Sequence, residues 1–185
     1  ENSINNNYKV ANLFYQEEKG LIFVFIEKDY KCSIYEINYN QHIKNINLTD
    51  RPIIHSYINF NLNKILVVDN YGTLWIYNYI PEIYNTKLLQ ANYTDLSNIR
   101  AFEIFIEKYN EQTINIFLGT DKNLYLYQYS MNNNKFLIKL NFDIQFQVKS
   151  IKYINNHKCL LIGCNNGTIQ IWKYSSKNPE YIIET

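Results

Sequence analysis

A ten-residue string that the chain contains in two versions constrains its fold more than any other feature. NNGTIQIWKY occupies residues 165–174, and NYGTLWIYNY occupies residues 70–79. Each version opens with a glycine-containing turn signal and continues as alternating apolar residues, which is the pattern of a strand that leaves a tight turn. Such a duplication indicates an array of similar units.

The alternating string can be aligned four times, and the aromatic residues near its end are 42, 50 and 45 residues apart. A turn and a short apolar run precede each string, another apolar segment lies upstream, and a weaker one lies downstream. The strings are 32–37, 73–79, 123–129 and 168–174, and the apolar runs are 21–26, 64–68, 114–119 and 159–163. Four strands per copy without helical periodicity predict an all-β fold of four antiparallel blades, at about 8–48, 49–92, 93–143 and 144–185.

A single four-stranded sheet of short strands cannot bury both of its faces or protect both of its edges. Stacking such sheets around an axis covers the faces, so strands inside the stack should be nearly unbroken apolar runs. The runs at 21–26, 64–68 and 159–163 have this character. We therefore predict a β-propeller that forms one region over residues 1–185.

The segment NGTIQIWK at 166–173 resembles the end of a WD repeat, in which an Asp-Gly turn precedes a strand that ends in Trp-Asp. The resemblance covers about residues 8–184, although the family's Gly-His pair before the innermost strand is absent. It places the turn aspartate of the family on Asp29, Tyr71, Asp121 and Asn166, and its tryptophan on Tyr35, Tyr77, Tyr127 and Trp172. These four aromatic side chains are expected to be buried between neighbouring blades.

The resemblance also bears on the number of blades, because WD-type propellers mostly have six to eight of them. Four repeats that begin at Glu1, which is not Met, favour a part of a larger propeller, with further blades supplied by the same chain or by another. An open arc and a small closed ring are the alternatives. Outside a closed ring, the first and last blades would each leave one sheet face uncovered.

The charge of the chain is almost balanced, with 18 Lys and Arg against 17 Asp and Glu, so no basic surface predicts a nucleic acid partner. The longest apolar run, 21–26, is too short to span a bilayer, and no membrane insertion is expected. Three cysteines are an odd and sparse set that favours a reducing compartment, cytoplasmic or nuclear.

No nucleophile, P-loop or dinucleotide motif is present, and enzymatic activity is not predicted. His157, Cys159 and Cys164 resemble a metal set only in composition, because the two cysteines bracket one strand and lie about 16 Å apart on opposite faces. We expect no metal and no cofactor. The alternative function is an enzyme or ligand-binding propeller with an axial site formed by dispersed side chains.

Loops at one end of a propeller converge around its axis and carry recognition in the family that this chain resembles. The residues that fall in these loops are Asp50, Arg51, Asn70, Tyr71, Asp95, Asp121, Lys122, Asn165 and Asn166. Arg and Tyr are enriched among residues that dominate binding energy. The sequence therefore predicts a non-catalytic scaffold that binds other protein subunits or peptides in an intracellular complex.

Overall fold

A computed structural model describes residues 9–27, 29–94, 96–107, 110–173 and 181–183. The described chain is all-β and contains four four-stranded antiparallel sheets. It divides into two compact units, Glu1–Asp95 and Leu96–Thr185, each of which holds two sheets. In every sheet the strands follow one another in sequence order, so each sheet is a simple meander.

The first unit contains sheets A and B. Sheet A consists of β1 (Val10–Gln16), β2 (Leu21–Ile26), β3 (Lys31–Glu36) and β4 (Gln41–Asn47). Sheet B consists of β5 (Ile53–Asn59), β6 (Lys64–Asp69), β7 (Thr73–Ile80) and β8 (Asn85–Tyr93). A 3-10 turn at Glu17–Lys19 joins β1 to β2.

The second unit contains sheets C and D. Sheet C consists of β9 (Ala101–Glu107), β10 (Asn110–Gly119), β11 (Asn123–Ser130) and β12 (Lys135–Asp143). Sheet D consists of β13 (Val148–Ile154), β14 (Cys159–Cys164), β15 (Ile169–Lys173) and β16 (Tyr181–Ile183).

In the first unit, one face of sheet A packs against one face of sheet B. Sheet A contributes alternate residues of β2, among them Phe23 and Phe25, and sheet B contributes Ile65 and Tyr79 to the same buried cluster. The rings of Phe23 and Tyr79 meet edge to face with centroids 5.3 Å apart. Alternation along β2 therefore directs every second side chain into a core shared by the two sheets.

In the second unit, sheets C and D share a corresponding core. Phe117 of β10 and Leu126 of β11 face Ile162 of β14 and Trp172 of β15 in one buried cluster. Phe142 of β12 contacts the indole of Trp172 edge to face at 5.8 Å. Each unit is thus a pair of sheets packed face to face around one apolar layer.

The first strands of the two sheets in each unit are neighbours. Asn12 of β1 donates from its amide to the backbone oxygen and the hydroxyl of Ser56 in β5, at 3.2 and 3.0 Å. In the second unit, the ring of Phe105 in β9 stacks on that of Tyr153 in β13 with centroids 3.7 Å apart. The fourth strand of each sheet lies at its far edge.

The four aromatic residues aligned by the repeat occupy equivalent places in their sheets, opposite the second strand, as in the pairs Ile65 with Tyr77 and Leu160 with Trp172. Tyr77, Tyr127 and Trp172 are buried, as expected, with exposed fractions of 5, 3 and 2%. Tyr35 is only half-buried, which corrects the expectation for this residue. It lies on the face of sheet A opposite to Phe23, and no other sheet of the first unit covers that face.

Candidate interaction surface

The predicted binding residues form two clusters, one in each unit. The first cluster comprises Asp50 and Arg51 in the β4–β5 connection, with Asn70 and Tyr71 in the β6–β7 turn. The second cluster comprises Asp121 and Lys122 in the β10–β11 turn, with Asn165 and Asn166 in the β14–β15 turn. Asp95 lies outside the described residues.

Backbone hydrogen bonds fix the connection between sheets A and B. The amides of Leu48 and Thr49 donate to the carbonyl oxygen of Tyr30 at 3.1 and 3.2 Å, which ties the connection to the β2–β3 turn. The amide of Asn70 donates to the carbonyl oxygen of Pro52 at 2.9 Å, which ties the connection to the β6–β7 turn. Three chain segments are therefore held together at one end of the first unit.

The second unit repeats this arrangement in the connection between sheets C and D. The amides of Ile144 and Gln145 donate to the carbonyl oxygen of Lys122 at 2.9 and 3.2 Å. The amide of Asn165 donates to the carbonyl oxygen of Gln147 at 3.0 Å. We call this shared pattern the connection frame, since it places the same three segments side by side in both units.

A buried carboxylate, Asp69, organises the first cluster. It ends β6, is 0% exposed, and accepts hydrogen bonds from the amides of Tyr71 and Thr73, both at 2.9 Å. Its second oxygen accepts from the indole nitrogen of Trp75 at 3.0 Å. Gly72 completes the turn with a left-handed φ of 80°, a conformation that glycine adopts without steric cost.

Arg51 lies beside this carboxylate and reaches the surface. Its guanidinium is 3.8 Å from Asp69 and 4.6 Å from the ring centroid of Tyr71, so it forms an ion pair and a cation–π contact together. Asp50 lies 3.8 Å from the same guanidinium. Because the Tyr71 ring is 57% exposed, the stacked pair offers a flat, partly apolar and charged surface to solvent.

In the second cluster an aspartate holds the connection through its side chain. Asp121 accepts from the side-chain amide of Gln147 at 2.6 Å and from the guanidinium of Arg100 at 3.4 Å. These two contacts, the Gln147 hydrogen bond foremost, lower the pKa of Asp121 below its usual range. Lys122 is exposed and takes part in the connection frame through its carbonyl oxygen.

The β14–β15 turn uses neutral side chains. Asn166 accepts from the amide and the hydroxyl of Thr168 at 3.2 and 2.8 Å, and Gly167 has a left-handed φ of 88°. The indole nitrogen of Trp172 donates to the buried Gln170 at 2.9 Å. Asn165 and Asn166 are exposed at the surface of this turn.

Within the part of the chain that the structure describes, no three His, Cys, Asp or Glu side chains are close enough to share a metal ion. Cys159 and Cys164 stand at the two ends of β14 on opposite faces, and His157 is exposed in the turn before it. The described residues also contain no helix of the length and apolar character needed to cross a bilayer.

The sequence interpretation missed Asp69, Arg100 and Gln147. For Asp69 a signal existed, since an aspartate immediately before Asn-Tyr-Gly is well placed to cap the amides of its own turn. Gln147 and Asp121 are 26 residues apart, and only the folded connection brings them together. A comparison of the sequence with protein-family models and with curated proteins found no match.

Proposed function

We propose that this chain is a non-catalytic scaffold of the β-propeller type, similar to WD-repeat proteins, that binds other protein subunits or peptides. The observation that carries the proposal is the connection frame, which is repeated in both units and brings loop residues together on a rigid support. Rigid sheets that position exposed loops are a common basis for recognition.

The propeller part of the proposal is supported inside each unit. The chain runs from the first to the fourth strand of one sheet and then returns to the first strand of the next. The two first strands are neighbours, as Asn12 and Ser56 show for sheets A and B. Face-to-face packing and this return path are what radial repetition of four-stranded blades requires.

The binding part of the proposal rests on Arg51 and Tyr71. Both side chains are partly exposed, and their stacking restricts their motion before a partner arrives. Pre-ordered aromatic and Arg side chains lose little entropy on binding, which is why they are enriched among the dominant residues of interfaces. The expected partner is a peptide or protein segment with an aromatic or carbonyl-rich face that can cover the stacked pair.

The experiment selects peptides from a displayed random library against the purified chain and measures their affinities by calorimetry. Replacing Tyr71 by Ala is expected to weaken binding about tenfold or more, because removal of a central interface residue costs about 1.4 kcal/mol or more. Arg51→Lys keeps the charge but loses the planar stacking group, and a smaller loss is expected.

Tyr39→Ala is the matched control. Tyr39 is 75% exposed in the β3–β4 turn, at the other end of its sheet from the β2–β3 turn that the connection frame includes. Peptides that lose affinity with Tyr71→Ala and keep it with Tyr39→Ala support the proposed surface. Equal affinities for the wild type and the Tyr71→Ala chain would refute it.

A further inference from the structure

Two sheet faces in the described structure carry apolar side chains that are exposed to solvent. The open face of sheet A carries Val10, Leu13 and Tyr15, which are 52, 56 and 50% exposed, together with the half-buried Tyr35. The open face of sheet D carries Leu161, Gly163, Ile169 and Ile171, each half-buried or more exposed. Contiguous apolar faces of this kind mark sites of association.

The packing of sheets C and D shows how one sheet face meets the next. Gly119, at the end of β10, has no side chain, and Val148, at the start of β13, fills that space. A Cβ atom added to Gly119 would lie 2.5 Å from a methyl carbon of Val148, closer than any real contact. Val148 is 0% exposed, so the valine and the glycine fit as a knob and a hole.

Val10 is the equivalent of Val148. Both residues begin the first strand of their sheet, and both precede a bulge, between Val10 and Asn12 in β1 and between Val148 and Ser150 in β13. Ile53 has the same position in β5, where it is buried with Phe25 of sheet A. Of these three equivalent residues, only Val10 projects from an open face.

Gly163 is the equivalent of Gly119. Gly119 pairs with Leu124 across the β10–β11 turn, and Gly163 pairs with Ile169 across the β14–β15 turn. A Cβ atom added to Gly163 would lie 2.6 Å from the hydroxyl of Ser150, the end of a side chain of the same sheet that can rotate away, and among the described residues it would meet no atom of another sheet. A hole without a knob therefore lies on the open face of sheet D.

From this geometry we infer that two copies of the chain associate head to tail, with the open face of sheet A in one copy packed on the open face of sheet D in the other and Val10 seated over Gly163. A second copy is the occupant because the chain itself carries both halves of the fit. We call the open face of sheet A, with Val10, the knob face and the open face of sheet D, with Gly163, the hole face. Every copy has one of each, so the contact is heterologous and either closes as a ring or continues as a chain of copies.

The decisive measurement is the mass of the 185-residue chain in solution by light scattering, over a wide range of concentrations. The wild type is expected at two or more times 22.2 kDa. Val10→Asp with Leu13→Asp makes the knob face polar and is called the knob variant. Gly163→Val fills the hole and is called the hole variant. Each variant alone keeps only one of the two faces that the contact needs, so it is expected at 22.2 kDa.

A mixture of the knob variant and the hole variant supplies the sharpest outcome. The knob variant keeps its hole, and the hole variant keeps its knob, so one intact contact forms and the expected product is a one-to-one pair. Ile83→Asp is the control, since Ile83 is 55% exposed in the β7–β8 turn and away from both open faces. That variant should keep the mass of the wild type.

Circular dichroism checks that each variant is folded, and Leu161→Asp replaces Gly163→Val if the latter is not. A wild-type chain that stays at 22.2 kDa at every concentration would overturn the inference, and so would folded variants that associate as the wild type does. Variants at Arg51 and Tyr71 leave both open faces intact, so this result is separate from that of the peptide-binding experiment.

Discussion

The two units build the same connection frame with different chemistry. In the first unit Asp69, a buried carboxylate, caps the turn, receives the indole of Trp75 and faces the guanidinium of Arg51. In the second unit the equivalent residue is Cys164, whose uncharged thiol is only a weak hydrogen-bond acceptor. Two neutral side-chain amides serve as the main acceptors instead: Asn166 caps its turn, and Gln170 accepts from the indole of Trp172.

This difference separates the features that both units share from the residue that each uses as hydrogen-bond acceptor. Both units keep backbone hydrogen bonds between connection and turns, a left-handed glycine before the third strand of the second sheet, and a side-chain acceptor for a tryptophan indole. The identity of the acceptor is free. In the first unit the acceptor is the carboxylate of Asp69, which pairs with the partly exposed Arg51, whereas in the second unit it is the neutral Gln170, which needs hydrogen bonds but no opposite charge.

The largest expected effect compares two aligned aromatic residues, Trp172 on a covered sheet face and Tyr35 on an open one. Trp172→Ala removes a side chain that is 2% exposed and packed on Phe142, and it should lower the free energy of unfolding by about 3–5 kcal/mol. Tyr35→Ala changes the equivalent residue on the open face of sheet A, where about 1 kcal/mol is expected. Urea denaturation followed by circular dichroism gives both values. Similar losses for the two variants would contradict the assignment of covered and open faces.

The next effect compares the capping carboxylate of the first unit, Asp69, with the capping amide of the second, Asn166. Asp69→Ala leaves two amides, an indole and the Arg51 guanidinium without their acceptor, and should destabilise the first unit by about 2–3 kcal/mol. Asn166→Ala removes a cap from an exposed turn of the second unit and should cost about 1 kcal/mol.

The two tryptophans make this test specific for each unit, because Trp75 reports on the first and Trp172 on the second. Fluorescence during denaturation should show the Asp69→Ala effect mainly at Trp75. Variants that keep only one of the two tryptophans separate their signals. Equal costs for Asp69→Ala and Asn166→Ala would mean that the carboxylate has no special role.

A smaller effect concerns the packing of the first residue of each unit's second sheet against the second strand of its first sheet. The first unit packs Phe25 near Ile53, whereas the second packs Gly119 against Val148. Gly119→Ala should therefore cost about 1–3 kcal/mol by overpacking. Val148→Ala in the same chain should restore part of that loss, and an additive double variant would show that the two residues do not share this space.

The smallest effect concerns pH. Because the pKa of Asp121 is lowered in the folded chain, mainly by the Gln147 hydrogen bond, the unfolded chain binds more protons near the ordinary value of about 3.9. The stability that Asp121 contributes is thus fully present above that value and is lost as the pH falls through the lower folded pKa.

Denaturation of the second unit at several pH values below about 5 checks this prediction. Asp121→Asn should show a weaker loss of stability with acid than the wild type, and Gln147→Ala should lie between the two. An acid response that is identical in all three chains would assign the dependence to other carboxylates.

Much of the fold could be predicted because each second and third strand combines an apolar pattern with a turn signal. The fourth strand was harder. In sheet A it is β4, Gln41–Asn47, whose sequence QHIKNIN carries no clear alternation, so its bounds are defined by pairing with β3. The propeller assignment remains a prediction.

The candidate site was predicted only in outline. The repeat located the turns that carry Asn70, Tyr71 and Asn166, since turn position follows from strand alignment. It could not show that Arg51 stacks on Tyr71, because that contact joins two turns through the folded connection. The resemblance to WD repeats placed the turn position on Tyr71, whereas the capping carboxylate is Asp69, two residues earlier.

The outer strands of sheets A, B and C share an irregularity with consequences for behaviour in concentrated solution. Each carries a bulge at a matching place, where an extra apolar residue, Ile43, Leu89 or Leu137, interrupts the ladder. A regular outer strand with exposed leucines would template the addition of foreign strands and so start fibre growth. The bulge twists the strand and breaks its row of free amides and carbonyls, so we expect these edges to resist polymerisation despite their apolar side chains.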